Sequence, residues 1–333
     1  MASELAEVSA RLGADLRLVQ GAGGNTSTKT GDQLLVKASG TCLRDALTDD
    51  IFVELSIAHV LARVADERED FETTRTGRGM KPSIETSMHA ILPDPVVLHV
   101  HSVNTISWAV RRQGRSLVNS RLEGLDWAWV EYARPGLPLT RAIQRARRDH
   151  PSANVLVLAN HGLVVTGASV RDAHERLVDV EARLIAPTLR VPLPLMPLPA
   201  AERLPAGTRL PHNPAVHSLA AAGMMDAEVL SGVLYPDHVV FIGDHVPRLE
   251  AVDAPISRRE EAKCVLVTDQ GVLLLPGATR GTEAMLECLA LLAPTLPPAA
   301  DLVFLDQAQI AELVGWDAEK LRQKLMQARE GIE

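Results

Sequence analysis

The stretch KPSIETSMHAILPDPVVLHVHSVN, residues 81–104, places a short amphipathic helix directly before a buried strand. Ser83 after Pro82 predicts a helix N-cap, and the PDP of 93–95 ends the helix because proline cannot continue it. The apolar run VVLHV that follows is typical of a strand buried in a sheet. Helices that alternate with apolar strands along the chain indicate an α/β fold.

This strand carries two histidines. His99 and His101 are two positions apart, so their side chains leave the same face of the strand. A third histidine, His161, follows a second apolar run, VLVL at 155–158, and Glu85 lies in the first turn of the preceding helix. Three imidazoles and a carboxylate are the components of an open catalytic metal site. Two other interpretations stay open: hydrogen-bonded core histidines, and a carboxylate that the helix dipole favours.

A glycine-rich segment, GAGGNTS at 21–27, precedes a short strand, and a second small-residue turn, Ser39-Gly40, follows that strand. Glycine lets the backbone approach a ligand and offers N–H groups to an anion, and Lys37 adds positive charge. The segment is not the dinucleotide fingerprint, because the third glycine and a following helix are missing. A glycine-rich hairpin turn without a binding role is the alternative.

Composition narrows the class of protein. The 333 residues are 46% hydrophobic and 23% charged, which is typical of a globular protein. The net charge of −8 argues against broad binding to nucleic acid or to an anionic membrane. We find no apolar run of about 18 residues that would span a membrane. The three cysteines have no metal or redox spacing, which predicts a reducing, cytoplasmic location.

Eight prolines lie within residues 187–214. They predict a linker between a catalytic domain, 1–186, and a smaller C-terminal α/β lobe, 215–333. Within that lobe, VLVTDQGVLLLPGAT (265–279) resembles LVLANHGLVVTGAS (156–169), and PDHVVF (236–241) resembles PDPVVL (93–98). We therefore predict that the lobe is a degenerate repeat of the first domain without its metal ligands.

Five motifs occur in the order and setting of the class II aldolase/adducin family: GGNTS (23–27), KASG (37–40), PSIE (82–85), HVH (99–101) and ANHG (159–162). Residues 1–190 resemble that family as a whole. The nearest likeness is to the aldolase portion of the rhamnulose-1-phosphate aldolase/dehydrogenase fusion proteins, which residues 190–333 also resemble.

The resemblance implies a three-layer α/β/α sandwich around a mostly antiparallel sheet, assembled as a homotetramer; the residues alone also allow a parallel sheet. It implies a divalent metal, Zn²⁺, on His99, His101 and His161, with Glu85 as the acid/base. Asn25, Ser39, Gly40 and Ser83 fall where sugar-phosphate members hold the substrate, with Lys37 as a counter-charge. Ile84 replaces a hydroxyl that phosphate-binding members commonly carry, so the anion stays open between phosphate and carboxylate.

The function that follows is a lyase of carbohydrate metabolism: a metal-dependent aldolase that cleaves a ketose 1-phosphate to dihydroxyacetone phosphate and a hydroxyaldehyde. An acid/base role favours a pKa of Glu85 that is raised toward neutrality. Alternatives on the same scaffold are an epimerase, a dehydratase or a decarboxylase, and, in another class, a non-enzymatic adducin-like interaction module. A separate dehydrogenase is a further candidate partner.

Overall fold

The computed structural model describes residues 2–71, 80–199, 203–256 and 262–329. The chain forms two compact units. The first unit comprises Met1–Ala109, Gly114–Ile185 and Gly315–Glu333, and the second comprises Val110–Gln113 and Ala186–Val314.

Strands and helices alternate in the first unit. In chain order they are α1 (Ala2–Ala14), β1 (Asn25–Thr30), β2 (Gln33–Lys37), β3 (Phe52–Ser56), α2 (Ile57–Ala65), α3 (Thr86–Ile91), β4 (Val96–Val100), α4 (Val103–Ala109), α5 (Gly114–Arg121), β5 (Trp127–Val130), α6 (Leu137–Asp149), β6 (Val155–Leu158), β7 (Gly162–Gly167) and α7 (Val170–Arg183). The strands form one sheet in the order β3-β2-β1-β4-β7-β6-β5.

Neighbouring strands of this sheet run antiparallel, except β5 and β6, which run parallel. The α/β sandwich with a mostly antiparallel sheet is therefore confirmed. Helices α2, α3 and α6 pack their apolar side chains on the sheet in two buried clusters. Helices α1 and α7 contact each other and strands β1, β4 and β7.

Helix α3 begins later than the sequence predicts. Ser83 is not its N-cap; Glu85 occupies that position, and the first helical residue is Thr86. Residues 83–86 instead form a turn, in which the Thr86 N–H donates to the Ser83 carbonyl at 3.1 Å and the Glu85 N–H donates to the Ser83 hydroxyl at 3.2 Å. Because this turn stands in place of the first helical turn, the Glu85 side chain projects from the N-terminal end of the helix. Met88, one turn further on, points into the core.

The second unit is built around a smaller sheet. Its elements are α8 (Ala227–Leu230), α9 (Pro236–Phe241), β8 (Arg248–Leu249), β9 (Cys264–Val267), β10 (Gly271–Leu274), α10 (Arg280–Leu292) and α11 (Gln307–Gly315), and the chain then returns to the first unit with α12 (Asp317–Arg329). The sheet order is β10-β9-β8. Leu249, Val265, Val267 and Leu273 are buried in its core.

The strands of this unit pair as some strands of the first unit do, and the internal repeat stays a prediction. The β9–β10 hairpin is antiparallel, as β6–β7 is, and β8 pairs parallel with β9, as β5 does with β6. Asn160 and Asp269, which stand at matching positions of the two turns, both have a left-handed backbone, with φ of 51° and 54°. The match of 236–241 to 93–98 is wrong, because α9 is a helix; Pro236 favours that helix by occupying its first turn.

The chain divides differently from the predicted linker arrangement. The segment Gly114–Ile185 of the first unit ends close to the predicted domain boundary. However, residues 187–214 belong to the second unit, and residues 315–333 belong to the first. Local sequence pattern carries no information on which unit helix α12 joins. The division into a catalytic domain, a proline-rich linker and a C-terminal lobe stays a prediction. Among the described residues, none of the helices has the length and apolar character needed to cross a membrane.

Candidate metal centre

Three buried histidines meet at one point of the first unit. One candidate ligand atom from each of His99, His101 and His161 lies within 4.8 Å of those from the other two. The centroids of the three rings are 5.0 to 5.1 Å apart. At most 6% of the surface of any of them is exposed. The structure thus brings together all three predicted metal ligands, from strand β4, the residue just beyond it, and the β6–β7 turn.

Adjacent central strands position these ligands. His99 lies opposite Val164 of β7 in the antiparallel register. Gly162, at the start of β7, allows the two strands to approach closely, because an added Cβ would lie 2.4 Å from the Val100 carbonyl oxygen. The left-handed Asn160 turns the chain just before His161, and asparagine tolerates that conformation better than most residues.

Glu85 faces the cluster. Its Oε2 atom is 3.4 Å from His99 Nε2, and its Oε1 atom is 3.6 Å from His161 Nε2. Burial by itself raises the pKa of this carboxyl, but the charges of the three imidazoles when protonated and a hydrogen bond from Asn25 outweigh burial and lower the pKa to about 2. These neighbours favour the ionised form of Glu85, which is opposite in direction to the expected shift of its pKa toward neutrality.

A chain of hydrogen bonds between buried side chains fixes the orientation of the Glu85 carboxylate. Asn25 Nδ2 donates to Glu85 Oε2 at 2.7 Å and to the Ser83 hydroxyl at 3.2 Å. The amide oxygen of Asn25 bonds to His89 Nε2, and His89 Nδ1 bonds to the Ser27 hydroxyl at 2.7 Å. We call Ser27, His89 and Asn25 the carboxylate relay. Because an amide oxygen accepts, Nε2 carries the proton and Nδ1 accepts from Ser27.

Strand pairing explains why the relay forms. Asn25 of β1 pairs with His99 of β4, and Ser27 pairs with Val97, so these side chains share the face on which α3 packs. His89 lies one helical turn after Glu85 and is fully buried. Desolvation lowers the pKa of His89 to about 3, which keeps its ring neutral. The motif GGNTS pointed to Asn25. The sequence analysis missed Ser27, although the two-residue period of a strand places it on the same face of β1 as Asn25.

Ser39 and Gly40, two of the remaining predicted substrate residues, lie on a neighbouring turn, and Lys37 ends strand β2 just before it. Ser39 is buried, and Gly40 has a left-handed φ of 74°. Lys37 is also buried, and its ammonium group donates to the carbonyl oxygens of Ala22 and Thr41 at 2.9 and 2.7 Å. The ammonium therefore ties the glycine-rich segment to this turn. Contact between these residues and a substrate stays a prediction.

The donor set suits a divalent ion. The His99 Nδ1–H donates to the Leu163 carbonyl oxygen at 3.0 Å, which leaves Nε2 with its lone pair toward the cluster. Glu85 Oε1 is buried and accepts no hydrogen bond from the described residues. Three neutral imidazoles beside a carboxylate match the ligand types of catalytic zinc sites. The three histidines would hold the ion, and Glu85 would stand next to it.

Comparison with known proteins points to the family that the sequence motifs resemble. The family model Class II Aldolase and Adducin N-terminal domain matches residues 3–184. The protein YuxG of Bacillus subtilis, called an uncharacterized oxidoreductase, is 27% identical over 194 residues, which are 53% of this chain and 28% of YuxG. A probable bifunctional methylthioribose-1-phosphate isomerase/methylthioribulose-1-phosphate dehydratase of Nocardia farcinica is 27% identical over 203 residues, 53% of this chain and 34% of that protein.

The match covers most of the length of one shorter relative. The L-fuculose phosphate aldolase of Methanocaldococcus jannaschii is 25% identical over 174 residues, which are 50% of this chain and 84% of that protein. By contrast, the matched part of this chain spans about a third of YuxG and of the Nocardia protein. The family prediction is confirmed, and the finer likeness to fusion proteins stays a prediction. Since the family model matches more than half of its residues, this chain belongs to the class II aldolase and adducin family.

Proposed function

We propose that this protein is a zinc-dependent aldolase that cleaves a ketose 1-phosphate, of the fuculose or rhamnulose type, to dihydroxyacetone phosphate and a hydroxyaldehyde. One observation carries the proposal: the Glu85 carboxylate lies 3.4 and 3.6 Å from two imidazoles of a buried three-histidine cluster. That arrangement provides a proton acceptor beside a site for a divalent cation. Membership of the class II aldolase family and the archaeal fuculose-phosphate aldolase relative support the reaction type.

The roles of the residues follow from the reaction. Cleavage begins when a base removes the proton from the hydroxyl on the carbon that becomes the aldehyde, and the ionised Glu85 is placed to accept it. A divalent ion, when bound, supplies positive charge that stabilises the electrons left on the carbon next to the carbonyl. In the reverse direction Glu85 removes a proton from the ketone donor. The relay keeps the carboxylate in one orientation through both directions.

The substrate's anionic end is assigned to the turns beside the carboxylate. Asn25, Ser39, Gly40 and Ser83 supply amide, hydroxyl and backbone N–H groups, and Lys37 adds a positive charge behind them. Ile84 carries no hydroxyl, so its backbone N–H takes the place of a side-chain donor. The setting we propose is carbohydrate metabolism in the cytoplasm, with a homotetramer as the working form and a separate dehydrogenase as a candidate partner.

A dehydratase is the second candidate, because the name of the Nocardia relative includes a methylthioribulose-1-phosphate dehydratase. Such an enzyme would also use a base beside a cation, but it would release water rather than break a carbon–carbon bond. The two are separated by their products: dihydroxyacetone phosphate from the aldolase, and a dehydrated sugar phosphate from the dehydratase. An adducin-like binding module would not need the buried three-histidine cluster.

The proposal is tested by metal content and turnover together. Wild-type protein should hold about one divalent ion per chain and release dihydroxyacetone phosphate from L-fuculose 1-phosphate or L-rhamnulose 1-phosphate. The His99→Ala/His161→Ala double variant should lose the ion. Glu85→Ala should keep the ion and lose about 10²- to 10⁴-fold in kcat, the range for general acid–base catalysis, while the exposed Glu131→Ala serves as the matched control.

Two results would contradict this function. Normal turnover by Glu85→Ala would remove the acid/base assignment. Wild-type protein that binds no divalent ion after zinc is supplied would show that the histidines are structural, and the binding-module interpretation would replace the enzyme.

A further inference from the structure

Helix α12 lies outside the residues that match the family, 3–184, yet it belongs to the same compact unit as the histidine cluster. It packs directly on the turn that carries Ser39 and Gly40. A Cβ added at Gly40 would lie 2.6 Å from Leu325 Cβ and 3.2 Å from the Arg322 carbonyl oxygen. Glycine is therefore required there for two reasons, its left-handed φ and the approach of this helix.

A cavity of about 370 Å³ lies beside this contact. Its lining includes Ser39 and Ser83 from the family-matched part of the chain and Trp316, Ala318 and Leu321 from the C-terminal segment. Its volume falls within the range of small-molecule pockets, roughly 300 to 1,000 Å³. The cavity thus has a hydroxyl-bearing wall from the family-matched part of the chain and an apolar wall from the C-terminal segment.

The cavity adjoins the catalytic carboxylate through Ser83. The same hydroxyl that lines the cavity accepts a hydrogen bond from Asn25, which also donates to Glu85. The apolar wall is held in place: the guanidinium carbon of Arg134 lies 4.0 Å from the centroid of the Trp316 ring, within cation–π distance. Lys81 also lines the cavity and supplies a positive charge, and the carboxylates of Glu69 and Asp70 line it as well. Those two carboxylates are ion-paired, Glu69 with Arg134 and Asp70 with Arg63 and Arg68. These pairings leave the Lys81 ammonium for an anionic group.

We propose that Trp316, Ala318 and Leu321 form a specificity wall that limits the size of the group which the substrate places against Ser39 and Ser83. The inference rests on the proposed function, in that it takes the ligand to be an open-chain sugar derivative with an anionic end. The oxygens of that end face the hydroxyls and Lys81, and its carbon atoms contact the indole and the leucine. The C-terminal segment is then part of the substrate site.

The test fills the cavity and measures binding. In the zinc-loaded 333-residue chain, Ala318→Phe should weaken binding of dihydroxyacetone phosphate at least tenfold by calorimetry. Ala318→Ser, which barely changes the volume, should bind like the wild type. Lys324→Phe places the same ring on an exposed position of α12 that does not line the cavity, and it should also bind like the wild type. Metal content and melting temperature should match the wild type in all three.

The outcomes separate the wall from the reaction. If the wild type binds dihydroxyacetone phosphate but cleaves neither ketose 1-phosphate, and Ala318→Phe loses binding, the wall stands and the aldolase proposal fails. If the wild type cleaves and Ala318→Phe cleaves with the same KM, the wall is overturned and the aldolase stands. Equal affinity in Ala318→Phe, or no binding of dihydroxyacetone phosphate by the wild type, also overturns the wall.

Discussion

At the scale of single residues, the orientation of the Glu85 carboxylate depends on a chain of buried side chains behind it. Asn25 can present either its NH₂ group or its oxygen to the carboxylate, and the wrong choice would set two acceptors against each other. His89 fixes that choice, because a neutral ring with its proton on Nε2 bonds to the amide oxygen. The Ser27 hydroxyl can donate or accept, and it donates to Nδ1 of this tautomer.

We predict that His89→Leu lowers kcat about tenfold to a hundredfold, the scale of a small misplacement of a catalytic group. KM and metal content should stay close to those of the wild type. His89→Gln, which retains a nitrogen donor near the position of Nε2, should recover a large part of the activity. Equal losses in the Leu and Gln variants would show that His89 contributes packing alone, and unchanged kcat in His89→Leu would exclude the relay.

The residue types at the site were largely predictable from the sequence. His99, His101 and His161 stood out by strand spacing and by motif, and the structure brings them together. The pKa of Glu85 was not predictable, because it depends on distances to three imidazoles that come from separate elements. Local patterns state which side chains share a face, but they contain no distances across the fold.

At the scale of elements, the approach of β7 to β4 sets the geometry of the metal ligands. The Val100 carbonyl occupies the space that a side chain at Gly162 would need. A methyl group there forces the two strands apart between His99 and His161, so both stability and metal affinity respond.

We predict that Gly162→Ala lowers the free energy of unfolding by about 1–3 kcal/mol, the usual cost of overpacking, and weakens zinc binding. Urea denaturation and a zinc titration check the two effects. Gly277→Ala is the matched control, because a Cβ at Gly277 meets nothing within 4 Å. A Gly162→Ala protein with wild-type zinc affinity would show that the strand separation does not position the ligands.

The direction of the strands and the type of some short elements could not be predicted from the local sequence. The apolar runs at 96–100 and 155–158 were identified as strands, but their antiparallel arrangement came from family resemblance. PDHVVF at 236–241 has the composition of the strand at 96–100 and forms a helix instead. Tertiary packing decides between the two states when a run is this short.

At the scale of the whole molecule, buried neutral histidines link stability to pH. His89 in the first unit and His238 in the second are fully buried, and desolvation lowers their pKa values from 6.5 to about 3 and about 4. Above pH 6.5 both the folded and the unfolded chain hold these rings neutral. As the pH falls below 6.5, the unfolded chain takes up protons that the folded chain excludes, so stability is lost.

We therefore predict that the free energy of unfolding falls between pH 6.5 and about 4, with each histidine contributing up to about 1.4 kcal/mol per pH unit. Chemical denaturation at a series of pH values measures the slope. His238→Gln should reduce the slope by up to one proton between pH 6.5 and about 4 and leave the pH dependence above pH 7 unchanged. A slope that is the same in His238→Gln and in the wild type would contradict the assignment.

The position of α12 also belongs to this scale. This helix spans Asp317–Arg329. Its return to the first unit, after the whole second unit has intervened, depends on contacts such as that between Leu325 and the Gly40 turn. No local signal in the sequence encodes a contact between positions so far apart.

The central placement of the histidine ligands has a consequence for the unfolded chain. His101 and His161 are separated by sixty positions in the sequence, and they meet because β4 and β7 are paired in the middle of the sheet. An ion held by both joins the ends of a long loop, much as a covalent cross-link does, and removes conformations that the unfolded chain would otherwise explore. A cation bound for the reaction would thus also stabilise the fold of the sheet that carries its ligands.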